Sequence, residues 1–318
     1  MQLSDIDFNK GAKLKDAPLD FYNYWDIPRI NSPMFISDAI IKNTPLVMYQ
    51  IFNINGHEVL LVYKFFKIIK VQFVRLLHFP ITKPRNIELE TKLLNLFSKH
   101  PQIQDIATSE DDYLEHKINI PSNADILGDD FFDNLDDEMF NKVNKGKRKS
   151  KIKYTKYKDR IGFRKAVSED YFDIINIMDK WMQNKLNSNA LYNKKTFNNV
   201  RKNFQTFLQE PFNIYVTTFD DEILQYEVLC KEGDKIVQLV NQAYPSPDDL
   251  PFDEVLRKEV WDYCLKWNHM LTINEFINSE YKRLEYEYSM LDRGLHTFKS
   301  MMYSNKKRIY LMKFKKNK

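Results

Sequence analysis

A chain of 318 residues with 43% hydrophobic and 14% aromatic content can bury one large or two ordinary cores, which excludes global disorder. A net charge of +4, from 48 basic and 44 acidic residues, leaves no overall field, so any surface for a polyanion must be local. No stretch reaches the roughly 18–20 uninterrupted apolar residues of a membrane span, and the first residues lack the apolar core of a secretory leader, so a cytoplasmic protein is expected.

Residues 1–40 are rich in aromatics (Phe21, Tyr22, Tyr24, Trp25) and are expected to pack on the first folded unit. PLVMYQIFNI reads as a strand, Asn55-Gly56 as a hairpin turn, and HEVLLVYKFF as its partner. KVQFVRLLHF is a third strand, stopped by Pro80. NIELETKLLNLFSKH spaces Ile87, Leu89, Leu93, Leu94 and Phe97 as a helix capped by Asn86, and QIQDIATS is a further strand. An acidic run comes next (Asp129, Asp130, Asp133, Asp136, Asp137, Glu138). The charge then reverses. Between Lys142 and Lys165 half of the 24 positions are Lys or Arg, against one acid, Asp159.

RIGFRKA is a short strand. SEDYFDIINIMDKWMQNKL has the spacing of a helix, with Phe172, Ile175, Met178 and Met182 on one face and Ser168 as cap, and KTFNNVRKNFQTFLQ is a second helix. FNIYVTTF, the turn Asp220-Asp221 and EILQYEVLCK form another hairpin, and KIVQLVNQAY is a third strand stopped by Pro245. PFDEVLRKEVWDYCLKW sets Val255, Leu256, Val260, Tyr263, Cys264 and Trp267 on one side of a helix, and HMLTINEF is expected to close the unit as a strand. Cys230 and Cys264 sit in these apolar patterns without metal spacing and read as buried thiols.

The order hairpin, third strand ending in aromatic-Pro, helix, strand thus occurs twice. Gly56 to Pro80 and Asp221 to Pro245 are the same 24 residues apart. A duplicated mixed α/β (α+β) unit accounts for both agreements. The division expected is an N-terminal domain over 1–140 and a C-terminal one over 141–318, with the basic lead-in at 142–165.

Three segments carry a family resemblance: the Lys/Arg-rich opening NKGKRKSKIKYTKYKDRIGFRKAVSEDYFDII, Tyr244-Pro245 after the third strand, and DRGLHTFKSMMYSNKKRIYLMKF with its Gly-Leu-x-x-Phe-Lys pattern. Together they resemble the GNAT N-acyltransferase superfamily in its tandem form, as in Fem-type aminoacyl transferases and the lysyltransferase-like domains that act on phosphatidylglycerol. The resemblance implies two GNAT-like domains, each a mostly antiparallel sheet flanked by helices. It also implies an acyl or aminoacyl group moved from acyl-CoA or aminoacyl-tRNA to an amine. The Gly-rich pyrophosphate loop of acetyl-CoA enzymes is absent. PSPDDLPF stands at that junction in the second unit, and Asp248 and Asp249 disfavour a phosphate there.

Acyl transfer needs a neutral amine, a polarised carbonyl and a proton returned to the leaving group. Glu227 and Glu275 are candidate bases and Tyr244 a candidate proton donor. Lys299, in the family-like segment, is a candidate cation for donor charge. Gln238 and Asn241, on the third strand, are candidate donor contacts, and Lys83 and Arg85, just before a helix, can hold an anion. No histidine pair has helical metal spacing and no Walker or Gly-x-Ser-x-Gly motif occurs, so no metal is expected. In the basic run Lys147, Arg148, Lys149, Lys151, Lys153 and Tyr154 combine charge with stacking and suit tRNA or DNA; a solvated linker is the other reading. Two alternatives stay open: a viral-type acyltransferase that modifies nucleobases, and a non-catalytic scaffold that binds nucleic acid or protein through this run.

Overall fold

A computed structural model of the chain describes residues 6–14, 17–18, 20–25, 47–68, 71–135, 145–188, 205–208, 212–286, 299–300, 302–303 and 305–314. The first half contributes β1 (Ala12–Lys13), α1 (Phe21–Trp25), β2 (Val47–Ile54), β3 (His57–Ile68), β4 (Val71–Leu76), β5 (Ile81–Lys83), α2 (Ile87–Phe97), β6 (Ile103–Ser109), α3 (Glu110–Glu115) and β7 (Asp125–Asn134). The second contributes α4 (Lys145–Tyr157), β8 (Ile161–Lys165), α5 (Tyr171–Ser188), β9 (Phe212–Phe219), β10 (Glu222–Glu232), β11 (Lys235–Ala243), α6 (Glu254–Phe276), β12 (Arg283–Tyr286) and β13 (Asn305–Lys313).

The repeat is present in the backbone. Both hairpins turn on two consecutive left-handed residues, Asn55 (φ 51°) with Gly56 (80°), and Asp220 (49°) with Asp221 (68°), the twist that matches a two-residue connection. Each hairpin is followed by a third strand, a helix, and a strand parallel to the third: β4 beside β6, and β11 beside β12. The other strand pairs are antiparallel. All strands join one sheet in the order β1-β2-β3-β4-β6-β13-β7-β12-β11-β10-β9-β8, with β5 on β3.

The units are joined by exchange. β7, the last strand of the first half, pairs with β12 of the second, while β13, the last of the second half, pairs with β6 of the first. β7 and β13 also pair with each other, which makes the seam. Charges lock it. Lys307 Nζ lies 3.0 Å from Asp111 and 2.9 Å from Glu285, and Arg283 is 2.9 Å from Asp111.

Val59, Leu61, Val74 and Leu76 share one core with Leu93, Leu94 and Phe97 of α2, whose N-terminus is capped by the Asn86 side chain. Phe21 and Trp25 pack on Val47, Leu60, Val62 and Ile81, so these two aromatics of the N-terminal segment lie on the first unit, and residues 26–40 fall outside the described residues. Cys230 and Cys264 are buried thiols, as expected.

Three local expectations are corrected. HMLTINEF is helical: α6 continues to Phe276, because Asn268, Thr272, Ile273 and Phe276 carry the inward spacing of Val260, Cys264 and Trp267 onward without a break. The strand role passes to β12. In α5 the inward face is Ile174, Ile177, Met178 and Met182, while Phe172 is 80% exposed; Val255 of α6, at 79%, also points out. Ser168 opens a 3-10 turn, and Asp170, held by Arg164, accepts from the Val167 amide in place of a serine cap. Of the expected helix KTFNNVRKNFQTFLQ, only a 3-10 turn at Gln205–Leu208 falls among the described residues. Asp292–Phe298 of the family-like segment also lies outside them.

Candidate active site

Among the described residues β11 pairs with β12 from Lys235 to Gln238, whose partner is Tyr286, and β11 runs on to Ala243 beside β10. A cluster of side chains gathers around the Gln238–Tyr286 pair. Lys299, 1% exposed, places Nζ 3.8 Å from the centroid of the Tyr286 ring, whose π-face favours a cation taken out of water. Tyr303 lies one helical turn later, its amide donating to the Lys299 carbonyl at 2.9 Å. The Tyr303 hydroxyl donates to Gln238 Oε1 at 2.9 Å, and Gln238 Nε2 donates to Glu227 Oε2. The Tyr303 ring packs on His269 (4.4 Å between centroids) and on Tyr286 (6.0 Å). His269 in turn bonds the buried carboxylate of Asp133 at 2.9 Å.

Asp133 belongs to β7, so the first half completes a cluster built on the second. Strand exchange brings it there.

Glu227 is buried on the side of β10 that meets α6. It contacts the Thr272 hydroxyl at 2.7 Å and accepts from the Asn268 amide at 2.9 Å. Burial pushes its carboxyl up to about 7, against the opposing pull of the Thr272, Asn268 and Gln238 hydrogen bonds. Burial also raises the Tyr303 phenol well above its usual range. The cluster therefore combines one buried cation, two phenols, an imidazole–carboxylate pair and a carboxyl with a near-neutral transition. Such a set can hold an anionic or polarised group and supply or take a proton.

The other sequence candidates lie elsewhere. Tyr244, roughly 20 Å along the strand from Gln238 at the usual rise, packs under the start of α6. Its hydroxyl is 3.4 Å from Asn176 and its ring is 5.0 Å from Lys180 Nζ. Asn241 is the cross-strand partner of Glu227, and its buried Oδ1 has no partner among the described residues. Glu275 is exposed on α6, not on a strand, so its expected position is corrected. Lys83 donates to the Tyr24 carbonyl and covers the Tyr24 ring, and Arg85 pairs with Glu90 (3.0 Å) and Glu115 (3.1 Å). Both are engaged within the chain. At the acidic junction Asp248 pairs with Arg257 and Asp249 with Lys180, each at 2.9 Å.

Lys147, Arg148, Lys149, Lys151, Lys153 and Tyr154 all fall on α4, which turns one side to α6. Tyr157 and Tyr154 join the core around Trp267, and Lys153 pairs with Glu259. Lys149 is exposed. Of the run, Lys145–Tyr157 is a helix that packs through Tyr154 and Tyr157.

Sequence reasoning passed over His269, Asp133, Tyr286, Tyr303, Asn268 and Thr272. The available signal was Asn268 and Thr272, four apart on an otherwise apolar helix face, but the strand assignment for HMLTINEF hid that spacing.

No known protein family and no curated protein sequence matches the chain. Solved structures do. A conserved protein of unknown function from Bacteroides thetaiotaomicron superposes with a TM-score of 0.58 at 12% identity, over 95% of this chain and 99% of that one. L-PGS from Bacillus licheniformis gives 0.53 at 11% identity, over 97% and 94%. FemX gives 0.53 at 10% identity, over 91% and 96%. The chain shares its fold with FemX and L-PGS. In this Fem-like fold the second unit carries the cluster around Lys299, and the identities reach no further than the fold.

Proposed function

We propose that the protein is a transferase that moves an acyl or aminoacyl group from an activated donor to an amine. The single observation that carries this reading is Lys299, a lysine buried over Tyr286, the residue paired with Gln238 of β11, on a fold shared with FemX and L-PGS. A cation held dry at that position neutralises charge on a nucleotide- or phosphate-linked donor far more strongly than one in water. Among the two donor classes we favour aminoacyl-tRNA. The helix N-terminus of the second unit lacks a Gly-rich loop and is flanked by Asp248 and Asp249, while α4 supplies a basic helix beside it. On this reading residues 141–318 form the catalytic unit and 1–140 its duplicated support, with Asp133 as the shared residue.

The test is a thermal-shift panel of acetyl-CoA, palmitoyl-CoA, lysyl-tRNA, alanyl-tRNA and duplex DNA at low salt, followed by transfer assays with the stabilising donor. An aminoacyl-tRNA should raise the melting temperature, and Lys299→Ala should lower transfer at least a hundredfold while the fold persists. A panel without any stabilising donor, together with a Lys299→Ala variant that behaves as wild type, overturns the reading. Stabilisation by DNA alone would favour nucleobase modification, for which the basic helix α4 is the supporting feature.

A further inference from the structure

We propose that Glu227 is a neutral positioning residue: its proton completes a directed chain of hydrogen bonds that fixes Gln238 and Tyr303, and with them Lys299. It is not a base that meets substrate.

The inference comes from counting protons. Thr272 Oγ1 lies 2.7 Å from Glu227 Oε1 and 2.8 Å from the Asn268 carbonyl oxygen, yet a hydroxyl has one proton to donate. A carbonyl can only accept, so the Thr272 proton belongs to Asn268, and the contact with Glu227 needs a proton from the carboxyl. Glu227 Oε2 has the complementary role. Asn268 Nδ2 and Gln238 Nε2 both donate to it, and both amide orientations are set from the far side. Thr217 donates to Asn268 Oδ1 at 2.8 Å, and Tyr303 donates to Gln238 Oε1 at 2.9 Å. The chain therefore runs in one direction, from Tyr303 to Gln238, Glu227, Thr272 and the α6 backbone, with each donor matched.

An ionised Glu227 breaks it. Thr272 would have to abandon one of its two acceptors, and a charge would stand in a dry layer. The groups facing Glu227 are Tyr215 from β9, Gln238 and Asn241 from β11, Asn268 and Thr272 from α6, and Tyr303 from the terminal turn; the forces on its proton are burial and the three hydrogen bonds. Removing the Tyr303 anchor frees the turn that begins at Lys299, because Tyr303 and Lys299 share a backbone hydrogen bond. The structural part of the inference is independent of any activity; its effect on turnover rests on Lys299 serving the donor as proposed above.

Glu227→Gln is the decisive variant, since an amide gives one donor to Thr272 and one acceptor to Gln238 and Asn268 at every pH. Melting temperature and acetylation of Lys299 by acetic anhydride, read by peptide mass spectrometry relative to the equally buried Lys307, are followed from pH 5 to 8. In wild type, melting temperature should fall across this range and the Lys299/Lys307 labelling ratio should rise at least threefold; in Glu227→Gln both should stay level. Glu227→Ala should label strongly at all pH values. A Glu227→Gln protein that keeps the wild-type pH slope, or melts well below wild type at pH 5, overturns the proposal. If the melting and labelling results hold while Lys299→Ala transfers normally, the proposed function fails alone.

Discussion

The two units share a topology and differ in what lies between strand and helix. In the first, Val59 and Leu61 of β3 meet Leu93, Leu94 and Phe97 of α2 in an apolar core, and the buried carboxylate, Glu90, sits on the helix, bound to Thr82 and His116. In the second, Glu227 of β10 meets Asn268 and Thr272 of α6, with Gln238, Tyr303, His269 and Asp133 extending the polar layer. Buried polar groups stabilise less than the apolar residues they replace unless each is matched, and they cost about 1–3 kcal/mol when left short. The second copy keeps such a layer between its central strands and α6, with the carboxyl on the strand.

The contrast can be broken at its dry end first. Phe97→Ala opens a cavity in the apolar core and should lower stability by about 3–5 kcal/mol in urea denaturation, while leaving its pH dependence unchanged. A loss below about 1 kcal/mol would mean that the first unit is not the rigid copy. The pH slope of the polar copy comes next. Glu227 binds its proton more tightly folded (about 7) than unfolded (near 4.5). Its contribution is therefore present below pH 4.5 and is lost as pH rises through 7, on the order of 3 kcal/mol in total. Subtracting Glu227→Gln from wild type isolates that change.

Asp133→Ala leaves His269 without its carboxylate and should cost about 1–3 kcal/mol, measured as the denaturation midpoint, with reduced transfer because the Tyr303 ring rests on that imidazole. If transfer is unaffected, the two halves do not share a site. The smallest effect on stability belongs to the surface of α4 and the 3-10 turn Lys158–Arg160 that follows it. Lys149→Glu combined with Lys158→Glu should leave melting within a degree or two, yet weaken tRNA binding and flatten its salt dependence. Unchanged affinity would assign α4 a purely structural role.

Much of the fold was legible because its signals are local. The pairs Asn55-Gly56 and Asp220-Asp221, the aromatic-Pro stops and the equal spacings between them come from turn stereochemistry and strand periodicity, which neighbouring residues carry. Lys299 was also legible, through the segment that resembles the family. Its partners were not. Tyr286, Tyr303, His269 and Asp133 are each unremarked residues in sequence, separated by up to 170 positions, and the HMLTINEF stretch is equally apolar as strand or helix.

What the residues determined alone was therefore the repeated unit, its hairpins and the Asn86 cap of α2. Tertiary structure decided that the last strands cross over between units, that Asp133 reaches His269, and that Glu227 is a dry carboxyl rather than a surface acid. Periodicity encodes which side of an element is buried. It does not encode which other element arrives there, and both proton affinity and the worth of a cation depend on that arrival.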